Sequence, residues 1–307
     1  MQSRLDAALA ARLAGFDLTP QELLTRDAPG GLSSPARASA NRHCRLLKTS
    51  DGWVALNLAR IDDIDLVNAL TGEVGDPWAG VAAMAAQTDV RGFRQWAIEL
   101  QLPVAIAGEA APLDLSSLAP VTTARRVLDL SALWAGPLCA GLLARAGAQV
   151  LRIESIGRPD PTPRGSPMLD ALINRGKQRL PLDLREASGR NRLLDEVARS
   201  DVLVTSARPA ALARLGLDPG QLGHLTWVAV TAHGFGGLEG ARVGFGDDCA
   251  VAGGLLNWTS GGPGFFGDAL ADPLTGLEAA RAVLAGRTGL IDMAMARVAA
   301  SYAAMLS

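Results

Sequence analysis

Apolar and polar positions follow two rhythms along this chain. Over residues 1–15, Leu5, Leu9 and Leu13 recur at helical spacing with Arg4, Asp6 and Arg12 between them, which predicts an amphipathic helix and not a signal peptide. Residues 27–35, rich in proline, glycine and serine, separate this region from two strand-like runs, 44–48 and 53–58. The Asp51-Gly52 step between those runs predicts a hairpin. Helical spacing returns at 62–70, 78–86 and 92–100, followed by the apolar run 102–106. Residues 1–112 therefore read as a small α+β domain with N-terminal helices.

Periodicity lapses over residues 112–121, which read as a linker, and then the rhythm changes. Short apolar runs at 127–130, 149–153, 179–184, 201–204 and 226–231 alternate with helical segments that start near Gly136, end near Arg199 and span 209–215. Strands separated by helices at this spacing form βαβ units. Residues 113–307 are thus expected to build a Rossmann-like, mostly parallel sheet covered on both faces, giving an α/β chain overall.

Composition narrows the function. The chain has 307 residues, enough for about two domains, and is 49% hydrophobic and 20% charged, as folded globular proteins are. With 29 basic and 31 acidic side chains there is no cationic excess to hold nucleic acid or an anionic membrane surface. Mean hydropathy is +0.18, yet no apolar run approaches the ~18–20 residues of a membrane span. Cys44, Cys139 and Cys249 are odd in number and lack a CxxC pair. They indicate neither a disulfide framework nor a zinc site, and a reducing, cytoplasmic location is expected, with no metal and no tightly bound cofactor.

Ligands of such sheets gather where strand ends turn into helix N-termini. No GxGxxG follows the first strand of the large domain and no GxxxxGK[ST] occurs anywhere, so dinucleotide and P-loop readings are weak. Residues 127–154, VLDLSALWAGPLCAGLLARAGAQVLRIE, instead resemble the opening strand, AGP turn, helix and strand of the class III CoA-transferase family. The resemblance continues in order through INRGKQRLPLDL at 173–184, SDVLVTSARP at 200–209, RLG at 214–216, AHGFG at 232–236, ADPLTG at 271–276 and GRTGLID at 286–292. The family includes formyl-CoA transferase, carnitine CoA-transferase and 2-methylacyl-CoA racemase. Residues 45–104 resemble the family's small domain, which normally follows the large one and here precedes it.

The resemblance implies transfer of CoA between an acyl-CoA and a small carboxylate, and association with a second copy or a related chain. It makes Asp272 the nucleophile that would carry an aspartyl-CoA thioester. Taken locally, the same residue reads as a helix N-cap before Pro273, and the two roles are compatible. Asp268 is the competing carboxylate, or else a turn residue beside Gly267. Arg175, Lys177 and Arg179 alternate along an extended segment, so they share a face that either meets CoA phosphates or is solvated. The family also places CoA contacts near Arg152, Arg158 and Arg164. Gly261, Gly262 and Gly264 resemble the family's mobile glycine loop, the alternative being a plain surface loop. Phe245 stands where the racemase branch has histidine, which disfavours racemisation. His233 follows a strand, from where it either reaches the site or, as lone loop histidines more often are, is structural or solvent-facing. Thr205-Ser206-Ala207 replaces the family's Glu-Asn-Phe, and a noncatalytic CoA-binding homologue or a partner subunit is the alternative reading.

Overall fold

A computed structural model describes residues 1–72, 76–115 and 126–307. The chain opens with helices α1 (Gln2–Arg12) and α2 (Pro20–Leu24), the latter closed by a capping box between Thr19 and Glu22. Strands β1 (Cys44–Lys48) and β2 (Trp53–Asn57) form the expected hairpin across Asp51-Gly52. Helices α3 (Ile61–Thr71), α4 (Trp78–Ala86) and α5 (Val90–Glu99) lead to β3 (Val104–Ile106), which pairs antiparallel with β2. Val54, Leu56, Val67, Val81 and Phe93 form the core of this smaller unit. Of the expected linker, residues 112–115 run along the last helix, where Ser301 Oγ accepts from the Leu113 N–H at 2.8 Å; residues 116–121 lie outside the described residues.

The second rhythm gives β4 (Arg126–Leu130), α6 (Ala135–Arg145), β5 (Gln149–Ser155), α7 (Thr162–Gly165), α8 (Pro167–Asn174), β6 (Gln178–Leu182), α9 (Ala187–Ala198), β7 (Val202–Thr205), α10 (Pro209–Arg214) and β8 (Thr226–Thr231). A long excursion follows through α11 (Gly246–Ala252), a hairpin of β9 (Leu256–Thr259) and β10 (Gly262–Phe265), and α12 (Ala271–Leu284). The chain then returns to the sheet as β11 (Gly289–Ala294) and ends in α13 (Met295–Leu306). The large sheet has the order β11-β8-β7-β4-β5-β6 with every described pairing parallel, as expected. From β4 the chain winds outward one way through β5 and β6 and then crosses back to β7, so the loops after β4 and β7 part at a topological switch point. Ser206 Oγ there accepts from the Ala132 N–H at 2.9 Å.

The first two helices do not pack in the core of the smaller unit. Leu5, Leu9, Leu13, Phe16 and Leu23 are buried in the same cluster as Leu138, Leu142 and Leu277 of the large sheet's covering helices. Their stripe is matched to α12 and α13, where Arg12 Nε also meets the fully buried Glu278 at 2.9 Å.

Candidate active site

Asp272 lies in the first turn of α12, half-buried, opposite the N-terminus of α6, where it accepts from the Ala135 backbone N–H. It is not the helix cap: α12 begins at Ala271 and its N-cap position is Leu270. The carboxylate is therefore free of the local capping duty that the Asp-Pro step suggests. Glycine makes the approach possible, because a Cβ at Gly246 would collide with Asp272 Oδ2 and sit 2.5 Å from the Ala269 carbonyl oxygen.

The surroundings are unusually acidic. Burial, reinforced by Asp248 and Asp268 and opposed by Arg26, pushes the Asp272 carboxyl up to about 7. Asp247, which accepts from the Ala269 N–H at 2.9 Å, is also raised to about 7 by burial and by Asp268. The Asp248 carboxyl is raised by burial to about 6. The counter-charge comes from Arg26, just after α2. Its Nε and Nη2 hold both oxygens of Asp268 at 2.6 and 2.7 Å, and its guanidinium lies 5.6 Å from the Trp134 ring centroid. Asp268 is thus committed to a bidentate pair, which makes it the poorer nucleophile of the two candidates.

The six expected CoA-contacting cations divide, and two need correcting. Lys177 does not face a ligand. It is buried, and its Nζ donates to Asp129 Oδ2 at 2.8 Å, the Pro137 carbonyl at 2.7 Å and Asn174 Oδ1 at 2.8 Å. Arg152 is likewise buried between Asp129 at 3.0 Å and Asp160 at 2.6 Å. Both serve Asp129 at the end of β4: burial alone would raise that carboxyl, but Lys177 and Arg152 outweigh it and hold it low. Alternation placed Lys177 on the face of Arg175, but a turn with Gly176 at φ +79° precedes β6 and sends the lysine inward. Arg179 is exposed but paired with Glu154 at 2.8 Å and Asp170 at 3.1 Å. Arg158, Arg164 and Arg175 are exposed and have no ion-pair partner among the described residues. The buried pairs hold the loops that present them: Arg152 fixes Asp160 between Arg158 and Arg164, and Lys177 fixes Asn174 beside Arg175.

The glycine segment is not an open loop. Gly262 and Gly264 belong to β10, paired with Thr259 and Asn257 of β9. The Arg37 guanidinium donates to the carbonyls of Pro263 at 2.6 Å and of Gly261, and stacks 4.1 Å above the Trp53 ring. Gly262 has φ +104°, and a Cβ there would meet Trp53 at 2.7 Å. Main-chain pairing and Arg37 thus hold against the smaller unit a segment expected to be mobile. His233 is buried, with its pKa lowered to about 3 by burial and by Arg242 and Arg94. Arg26, Asp247 and Asp248 escaped the sequence reading. The Asp-Asp pair could have been noticed in the GFGDD block, whereas nothing in the sequence around Arg26 marks it.

This arrangement resembles known proteins in both sequence and fold. Residues 124–305 match CoA-transferase family III. An acyl-CoA transferase of Fusarium pseudograminearum is 30% identical over 200 residues, covering 58% of this chain and 44% of that protein. Human succinyl-CoA:glutarate CoA-transferase is 27% identical over 187 residues, covering 56% and 42% respectively. The crystal structure of a CAIB/BAIF family protein from Brucella suis superposes with a TM-score of 0.52 at 25% identity, covering 59% of this chain and 55% of that one. A Mycobacterium tuberculosis structure superposes with a TM-score of 0.53 at 29% identity, covering 61% and 58%. The chain spans less than half the length of these curated relatives. With the doubly wound parallel sheet, the AGP turn at its switch point and the Asp-x-x-Thr-Gly segment facing that turn, the chain belongs to CoA-transferase family III.

Proposed function

We propose that the chain transfers CoA from an acyl-CoA to a small carboxylate through Asp272. The observation that carries this reading is the position of that carboxylate, half-buried at the start of α12 against the N-terminus of α6 and, among the described residues, in no salt bridge. The ionised carboxylate attacks the thioester carbonyl, forming an acyl-aspartyl anhydride and releasing CoA thiolate. The thiolate then attacks the aspartyl carbonyl, expelling the donor carboxylate and leaving an aspartyl-CoA thioester. The acceptor carboxylate attacks that thioester in turn, forming a second mixed anhydride and releasing CoA thiolate, which attacks the acceptor carbonyl to give the acceptor's CoA thioester and the free Asp272 carboxylate. N–H groups at the start of α6 are suited to stabilise the tetrahedral oxyanions, an effect of about 3 kcal/mol per donor in such sites. Arg158, Arg164 and Arg175 supply the charge for CoA phosphates.

Incubation with a panel of acyl-CoAs, hydroxylamine trapping and peptide mass spectrometry test the assignment. Modification at Asp272 supports it. Label at Asp268, or transfer that survives in Asp272→Ala, overturns it. A second reading, a CoA-binding homologue without turnover or a partner subunit of a related chain, draws on Thr205-Ser206-Ala207, which stand where the family has Glu-Asn-Phe. Calorimetric CoA binding without any adduct is its expected signature. We further propose a cytoplasmic protein that associates with itself or a relative, for which light scattering well above 31.8 kDa is expected.

A further inference from the structure

Three buried side chains that the transfer chemistry does not use converge beside α11. A ring nitrogen of His233, a carboxylate oxygen of Asp248 and Sγ of Cys249 lie within 4.8 Å of one another. Each brings an atom with no strong partner. His233 is 7% exposed, and its Nε2 has no hydrogen-bond partner among the described residues. Asp248 uses Oδ1 to accept from Asn57 Nδ2 at 2.9 Å and from the Phe245 N–H at 3.0 Å, which leaves Oδ2 facing the Cys249 thiol at 4.0 Å. Among the described residues that thiol otherwise has only a 3.5 Å contact to the Ala232 carbonyl. Gly244 keeps the neighbourhood open: a Cβ there would stand 2.8 Å from Asp248 Oδ2 and 3.0 Å from Cys249 Sγ. Buried polar atoms are paired in the great majority of cases, and an unpartnered imidazole nitrogen beside a weakly held thiol and carboxylate oxygen calls for an occupant.

We infer that His233, Asp248 and Cys249 form a three-ligand site for a thiophilic divalent cation of the zinc class. Imidazole, carboxylate and thiolate belong to the donor set that such ions take. Carboxylate and thiolate together balance a charge of two. Of the neighbouring cations, Arg242 is paired with Glu109 at 2.7 Å and Glu239 at 2.8 Å, and Arg94 with Glu109 at 2.6 Å. Asn57 orients the ligating carboxylate from behind, as outer-shell partners of metal ligands do. A thiolate–imidazolium nucleophile is the competing reading of the same residues. Rapid alkylation of Cys249 indifferent to zinc is the signature of that reading. Cysteine and histidine lie sixteen positions apart without a local motif, so their meeting depends on the loop after β8 folding back over α11. A cation there ties that loop to the helix whose Gly246 abuts Asp272, and the site stands whether or not Asp272 proves to be the nucleophile.

Titration of the metal-stripped full chain with cobalt(II) reads the site directly. One equivalent is expected to bind with a sulfur-to-cobalt charge-transfer band in the near ultraviolet, and zinc is expected to displace it. Cys249→Ser abolishes the band, His233→Gln weakens binding at least about 10-fold, and Asn57→Ala weakens it about 10- to 100-fold. Cys139→Ser leaves binding intact. Zinc also slows alkylation of Cys249 in the otherwise unmodified protein, a readout that requires no variant to fold. Failure of the folded wild type to bind cobalt or zinc stoichiometrically overturns the assignment. A band that survives Cys249→Ser, or rapid Cys249 alkylation indifferent to zinc, does the same.

Discussion

Asp272 pairs a raised pKa with a role that requires the ionised form. As a nucleophile it acts as the carboxylate, so acyl-enzyme formation is expected to rise with pH through about 7, with single-turnover trapping at each pH as the measurement. The linkage to stability has the opposite sign. A carboxyl raised from 3.8 to about 7 binds its proton more tightly in the folded state, so its contribution is present below pH 4 and is lost as pH rises through 7. Asp272→Asn should therefore abolish trapping yet stabilise the protein at pH 8 by about 0.5–2 kcal/mol in urea unfolding. Arg26 opposes burial at this carboxyl and also neutralises Asp268. Arg26→Ala is expected to move the trapping midpoint to higher pH, Arg26→Lys to recover part of the shift, and an unmoved midpoint in both would remove Arg26 from the electrostatics of the site. Asp272 could be singled out in the sequence because its Asp-x-x-Thr-Gly spacing is local, whatever its role proves to be. Arg26 could not: it meets Asp268 across 242 positions of sequence, and no short-range pattern encodes that approach.

Among elements, α6 and α12 are the pair that sets the distance between Asp272 and the N–H groups facing it. Gly276 is the point of close approach: a Cβ there would lie 2.6 Å from the Ala135 carbonyl oxygen and 2.9 Å from the Leu138 side chain. Gly276→Ala forces the helices apart. It should cost about 1–3 kcal/mol by denaturant unfolding and lower the trapping rate with its pH midpoint unchanged, because displacement alters geometry and not charge. The parallel strands were readable from their apolar runs, since both faces of the sheet are covered. The hairpin of β9 and β10 was not. Its GGPG segment carries turn chemistry, and its extended shape depends on Arg37 and Trp53, which lie far away in the chain. The same limit explains Lys177, whose inward course depends on Asp129 of another strand.

At the scale of the whole molecule, residues 1–37 act as a strap. Their first half lies on the helices of the large sheet, Arg26 enters the acidic site, and Arg37 clamps the hairpin against Trp53. The amphipathic rhythm of residues 1–15 announced a buried stripe, but period alone does not say which core receives it, and proximity in sequence pointed to the wrong one. The true partner is shown by Leu9, buried in the large cluster, and by Glu278, which is fully buried and meets Arg12 at 2.9 Å and the Tyr302 hydroxyl at 2.7 Å. Leu9→Ala should cost about 2–5 kcal/mol, as truncations in packed cores do. Removing residues 1–24 should cost more, because it exposes the apolar surface of α12 and α13 and leaves Glu278 without Arg12. It also unties Arg26 from its anchored helices. The deleted protein is therefore expected to melt at lower temperature and, where it remains folded, to show the raised trapping midpoint of Arg26→Ala. A truncation that melts with the full chain and traps with an unshifted midpoint would show that the strap neither supports the sheet nor delivers the arginine. Leu9→Ala separates the two effects, since it weakens the core but keeps Arg26 in place and should lower the melting temperature with no change in midpoint.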